Sequence, residues 1–198
     1  AIEKDLLVIT DEVYEHLVFD GQSHIPISTF PGMSERTLTI SSAAKTFGFT
    51  GWKIGWAHGP SELLSAVRIA KQFLTYVNGA PFQHAIAEAL KLDESYYINL
   101  ALDMANKRDI LCEGLEKAGF EVFRPSGTYY ATVDIRPLGD EDGIEFCWDL
   151  PNRCGVVAVP NEVFYDNKTI GKPLVRFAYC KRPEVLDHAV EKLLSLKA

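Results

Sequence analysis

Lys45 stands in a stretch suited to a reactive amine. Residues 39–59 read TISSAAKTFGFTGWKIGWAHG, with small residues before the lysine (Ser41, Ser42, Ala43, Ala44) and a glycine/aromatic run after it (Phe47, Gly48, Phe49, Gly51, Trp52). A solvated surface lysine needs no such setting. A lysine that must surrender its proton and attack a carbonyl does, because desolvation disfavours the ammonium form. Lys53, eight residues on, is a second cation that pushes the same way. Upstream, Asp11-Glu12-Val13-Tyr14 closes the apolar run Leu6–Thr10. Ligands of open α/β sheets lie beyond the carboxyl ends of strands, so Asp11 and Tyr14 fall where chemistry is expected; the plainer reading is a helix cap and a core tyrosine. Near the other end, Arg176 interrupts the apolar segment Leu174–Cys180. A guanidinium in such a strand needs an anion, either one of the 27 acidic residues or a bound carboxylate that its fork can grip.

The elements that must position these groups alternate between strand and helix. Leu6–Thr10 reads as a strand buried on both faces of a parallel sheet, and Arg36–Ser41 as a second buried strand delivering Ser42 and Lys45 to the same edge. Phe19–Glu35 is a Gly/Pro/Ser-rich loop; His24 within it and His16 just before it have no metal-spaced partners and read as ordinary surface or loop histidines. Residues 53–59 alternate as a strand, Pro60 opens a helix through Phe73, the stretch 75–82 breaks it at Gly79 and Pro81, and Gln83–Leu92 forms the next helix. A long amphipathic helix over 94–118 ends at Gly119. A hairpin over 120–135, a helix over 143–154, a strand over 155–160, the Arg176 strand and a helix over 183–196 complete an α/β chain. The helix at 94 is expected to link the C-terminal part of a large domain, 1–93, to a small C-terminal domain, 94–198.

Of 198 residues, 47% are hydrophobic, enough for a sizeable core, and a net charge of −7 argues against nucleic acid or an anionic membrane as partner. No apolar run approaches the roughly 20 residues of a membrane helix. The four cysteines (Cys112, Cys147, Cys154, Cys180) show neither C-x-x-C nor zinc spacing, so no metal site is expected, and they fit a reducing cytoplasm. The opening Ala1–Asp5, without an initiating Met, reads as a helix end running into a strand, and the chain is expected to be the C-terminal half of a longer polypeptide.

Taken together, Asp11-Glu12-x-Tyr14, Ser42-x-x-Lys45 and Gly51-Trp52-Lys53-Ile54-Gly55 resemble the fold-type I, class I/II aminotransferases, whose usual Gly-x-Arg-x-Gly here carries Lys53. The overall run, notably SSAAK and GAPFQ, is similar to the branch acting on succinyldiaminopimelate and on kynurenine or glutamine. The resemblance implies part of a three-layer large domain with a smaller α/β C-terminal domain, pyridoxal 5'-phosphate as cofactor, an amino acid and a 2-oxo acid as substrates, and a homodimer lacking here its N-terminal half. It implies that Lys45 carries the cofactor, Asp11 pairs with its pyridine nitrogen, Tyr14 donates to its phenolate, Ser42 (more weakly Ser41) and Lys53 bind its phosphate, and Arg176 holds the substrate carboxylate. Gly127-Thr128-Tyr129-Tyr130 matches a segment that passes the substrate, so Tyr129 either lines the pocket or packs in the core; the loop over 75–82 is either a plain turn or a border of the partner's pocket.

Three alternatives stay open. The same residues serve a C–S β-lyase when the substrate carries a β leaving group. Ser42-Ala43-Ala44-Lys45 also matches the S-x-x-K of serine acyl-transfer enzymes, although S-D-N and K-T-G are missing. Last, the isolated piece is expected to be inactive, because much of the phosphate cup is not in it.

Overall fold

A computed structural model describes residues 1–197 and divides the chain into two compact units, Ala1–Ala101 and the part from Leu102 onward. Residues 1–6 close in the pattern with which helices end: Leu6 N donates to the Ala1 carbonyl at 2.9 Å, Asp5 N to that of Ile2 at 3.1 Å, and Asp5 takes a left-handed φ of 50°.

The first unit is built on a mixed three-stranded sheet. Strand β1 (Val8–Asp11) runs parallel to β2 (Thr37–Ser42), with Asp11 in register with Ile40. The Thr/Leu/Ile run of β2 passes into a single helical turn, α1 (Ala43–Thr46), and β3 (Gly55–His58) returns antiparallel beside β2. Three helices follow: α2 (Ser61–Leu74), α3 (Ala80–Ala89) and α4 (Glu94–Lys117), which runs on into the second unit. Two expectations fail here. β1 is an edge strand, with Ile9 70% exposed and Leu7, just before it, 65% exposed; an apolar run records a demand for burial but not the neighbour that meets it. And α3 starts three residues before Gln83, because Pro81 sits in its first turn, where a missing N–H costs nothing.

The second unit is an antiparallel sheet of order β4-β5-β7-β6, formed by β4 (Glu121–Phe123), β5 (Tyr130–Asp134), β6 (Val159–Pro160) and β7 (Leu174–Ala178). Alternation along β5 and β7 sends Ala131, Val133, Val175 and Phe177 into a core shared with Leu111, Leu115, Phe146, Leu150, Leu186 and Leu193. Helix α5 (Gly143–Cys154) begins where Asp142 accepts hydrogen bonds from the backbone of Ile144 and Glu145, and stops at Gly155 with φ 73°. The short α6 (Lys168–Gly171) and the closing α7 (Pro183–Leu193) complete the unit. The strand expected over 155–160 shrinks to the two residues of β6, since only Val159 and Pro160 reach β7. No helix among the described residues is long and apolar enough to cross a membrane.

Candidate active site

Parallel pairing of β1 and β2 brings their carboxyl ends to one edge. Glu12 N donates to the Ile40 carbonyl at 2.8 Å, so the turn carrying Tyr14 leaves β1 beside the point where β2 becomes α1. Ser42 is the residue before that turn and makes no capping bond with its side chain, leaving its hydroxyl to the cleft. Lys45 is half-buried, and its Nζ stands over the Tyr14 ring, 5.9 Å from the centroid. Asp11, Ser42, Lys45, Thr50, Lys53 and Gly55 line one open cleft of about 360 Å³. Asp11 is exposed, and among the described residues its carboxylate accepts only a long bond from Val13 N, 3.3 Å.

Lys53 owes its place to a strained backbone. It follows a 3-10 turn over Thr50–Trp52 and has φ 57°, in the left-handed region that side chains other than glycine's disfavour. Its carbonyl accepts a bond from Asn78 Nδ2, and the stack Phe49–Trp52–Phe82, with centroids 4.3 and 4.4 Å apart, braces the same loop. The loop over 75–82 therefore supports the Lys53 turn. Gly55 is needed for contact: a Cβ there would lie 2.8 Å from the Ser41 carbonyl.

A layer of acidic residues beneath this edge was not legible as such. Buried Glu12 meets His24 Nε2 at 2.9 Å and accepts from Thr10 Oγ1 at 2.9 Å. Burial pushes its carboxyl up, but the bonds from His24 and Thr10 hold it on balance below the usual carboxylate range. His24 is thus no ordinary loop histidine; it ties the loop to the Asp11-Glu12 turn. His16 stacks on Tyr97 with centroids 4.3 Å apart. Glu15 accepts from Ser41 Oγ at 2.7 Å, which fastens the Tyr14 turn to β2 and commits the Ser41 hydroxyl away from any phosphate. Acidic residues within a D-E-x-Y-E run were the available signal.

Tyr129 and Arg176 belong to the second unit. Arg176 is half-buried on the face of β7 opposite the core. Its guanidinium carbon lies 3.9 Å from the Phe164 ring centroid and 4.4 Å from that of Tyr130. Among the described residues no carboxylate pairs with it, and its buried Nε has no hydrogen-bond partner. The internal ion pair weighed above is therefore not formed. Tyr129 is half-buried, packs at 4.6 Å on Tyr130, and its carbonyl accepts from Tyr179 N. The preceding Thr128 has φ 68°, fixed by the buried Tyr179 hydroxyl, which donates towards the carbonyls of Thr128 (3.1 Å) and Gly127 (3.3 Å). Burial drives the Tyr179 phenol far above its ordinary range, so it stays a donor. Among the described residues no group of three or more His, Cys, Asp or Glu could hold a metal.

The donors in the cleft fit a phosphorylated pyridine aldehyde: an amine for the aldehyde, a cation and a hydroxyl unused by the chain for the phosphate, and an exposed carboxylate for a ring N–H. The sequence model of the family described as "Aminotransferase class I and II" matches residues 1–193. Over 201 residues the chain is 50% identical to the probable N-succinyldiaminopimelate aminotransferase DapC of Mycobacterium tuberculosis, covering 98% of this chain and 51% of the relative. It is 39% identical to a kynurenine--oxoglutarate transaminase of Dictyostelium discoideum, covering 96% and 48%. The solved structure of the M. tuberculosis N-succinyldiaminopimelate aminotransferase superposes with a TM-score of 0.94 at 52% identity, over 99% of this chain and 51% of that one. The chain spans about half the length of these relatives.

Proposed function

The chain belongs to the class I and II aminotransferases, a pyridoxal-phosphate-dependent family, and from that premise we propose that its parent polypeptide moves an amino group from an L-amino acid to a 2-oxo acid. The observation that carries this reading is the convergence of Asp11, Ser42, Lys45 and Lys53 on one cleft. When bound there, pyridoxal 5'-phosphate supplies an aldehyde that condenses with amines and a protonated ring that draws electrons from the substrate Cα.

Lys45 Nζ is the amine that would hold the aldehyde and, freed by a substrate amine, the base that would take the proton from the substrate Cα. The Asp11 carboxylate accepts the ring N–H and keeps it protonated. Tyr14 donates its hydroxyl proton to the ring oxygen. Ser42 and Lys53 hold the phosphate, Lys53 as a point charge and not a fork. Arg176, which pairs with no carboxylate among the described residues and is held between two rings, grips the substrate carboxylate in the two-pronged way its geometry favours, with Tyr129 at the border of that site. Residues 1–93 contribute to the large domain and 94–198 to the small one, and the exposed apolar surface of the first unit suits further chain and a second subunit.

The favoured amino donor is N-succinyldiaminopimelate, after the mycobacterial relative at 50% identity. The test uses the full-length protein reconstituted with cofactor, in two portions: one is reduced with borohydride and digested, the other is left unreduced and assayed with N-succinyldiaminopimelate, kynurenine and methionine against 2-oxoglutarate. A pyridoxyl adduct on the Lys45 peptide and the highest kcat/KM with the succinylated donor are expected. No adduct removes the cofactor assignment; release of ammonia in place of amino transfer replaces the transaminase by the lyase.

A further inference from the structure

Lys53 stands in a backbone conformation that its own side chain does not favour. It ends the 3-10 turn Thr50–Trp52 with φ 57° and ψ 39°, and it is exposed, so its packing does little to offset the left-handed geometry. A residue other than glycine keeps such a conformation where its surroundings over-determine it. Here two neighbours do so. On one side the Ile54 carbonyl accepts from Ala43 N at 3.0 Å, which ties the segment to the start of the Lys45 turn. On the other, the Lys53 carbonyl accepts from the side-chain amide of Asn78, 25 residues further along the chain.

Asn78 is itself set in place. It is half-buried, and its backbone carbonyl accepts from Gln83 Nε2 at 2.5 Å. Gly79, with φ 34°, precedes α3 so closely packed that an added Cβ would lie 3.0 Å from Phe82 Cδ2 and 3.2 Å from Ile54 Cδ1. Phe82 in turn stacks on Trp52, the residue before Lys53. The Asn-Gly pair at 78–79 therefore meets two demands at once. Its amide is short enough to reach the Lys53 carbonyl, and its glycine lets α3 begin against Ile54. Among the described residues, those lining the Lys45 cleft include Lys53 and Ile54 but not Asn78. The amide thus acts on the cleft from behind, through the backbone of the residue that supplies the cation.

We propose that Asn78 is a positioning residue for Lys53: its amide keeps the Lys53 turn left-handed and so keeps the ammonium at the cleft, which makes binding of a phosphorylated ligand depend on a side chain outside the cleft; this rests on the phosphate-holding role given to Lys53 above. Without that amide the Lys53 backbone returns for part of the time to the right-handed region that ordinary residues favour, and the cation leaves with it. The test uses the full-length protein freed of cofactor and titrated with pyridoxal 5'-phosphate and with pyridoxal, which lacks only the phosphate; dissociation constants are read from absorbance. Asn78→Ala is expected to raise the dissociation constant of the phosphorylated compound about fivefold, the net worth of one neutral hydrogen bond, and to leave that of pyridoxal unchanged. Asn78→Leu, which keeps the volume and loses the donor, is expected to do the same, and serves if the alanine variant folds poorly. In a Lys53→Met background Asn78→Ala is expected to add less than about twofold, because the group it positions is gone. Equal losses on both compounds, no loss on either, or the full loss in the Lys53→Met background overturn the inference. Lys53→Met alone separates the two levels: if it lowers the preference for the phosphorylated compound while Asn78→Ala does not, only the role of Asn78 falls; if it leaves that preference intact, the phosphate-holding role of Lys53 falls first.

Discussion

The two units divide chemistry and self-sufficiency unequally. The second closes a core of its own: Leu115, Val133, Ile135, Leu150, Val175 and Leu193 are fully buried, and its large exposed side chains, Trp148 and the pair Val163–Phe164 among them, are fewer than those of the first. The first carries Lys45 on a thin framework. Beneath α1 its buried apolar residues are Ala43, Ile54 and Ile86, with Phe47, Trp52 and Trp56 against them. Helix α2 buries no residue at all, and Phe73, Leu74, Tyr76 and Val77 are exposed in succession. A contiguous apolar surface of that kind marks an interface. The unit with Lys45 thus leaves apolar surface uncovered, whereas the unit with Arg176 closes its own packing.

The largest effect that sharpens this contrast is Lys45→Ala in the full-length enzyme. It is expected to cut kcat by at least about 10³ while leaving the melting temperature alone; a large fall in melting temperature would break the distinction. In the second unit the order reverses: Leu150→Ala is expected to cost about 2–5 kcal/mol in urea unfolding, because a sealed core cannot collapse into the gap. Ser41→Ala should cost roughly 1–2 kcal/mol and loosen the Tyr14 turn, since it strands the partly buried Glu15 carboxylate. Phe73→Ser, made in this 198-residue chain, is expected to change stability by less than about 0.5 kcal/mol and to reduce light scattering. The smallest effect concerns His16. Burial holds its imidazole below the ordinary 6.5, with Glu15 pulling the other way. The unfolded chain then binds the proton more readily, so stability is complete above 6.5 and falls as pH drops below it. Denaturation midpoints at pH 7 and 5.5 should differ in the wild type and converge in His16→Gln.

Much of this was legible because local chemistry is periodic. The passage from β2 into the Lys45 turn, the limits of α5 and the end of α4 before Gly119 all follow from apolar spacing and caps. What escaped depends on pairs far apart in the chain. Nothing in the spacing of Glu12 and His24 announces a bond across a twelve-residue loop. Arg176 was expected to meet an anion; that it rests between rings supplied from positions 130 and 164 is a property of the sheet order. The cleft around Lys45 was read from residue types, while its support by Asn78, Phe82 and Glu15 came only with the fold.

Lys53 carries a further consequence. A left-handed conformation costs an ordinary side chain about 1 kcal/mol, which glycine would recover, yet glycine would bring no cation to the cleft. On the phosphate-holding role proposed for Lys53, selection for heat resistance alone would drift towards glycine at this position, and selection for activity would restore the lysine. The residue is a point where durability and turnover pull in opposite directions, and the balance between them can be read from a single backbone angle.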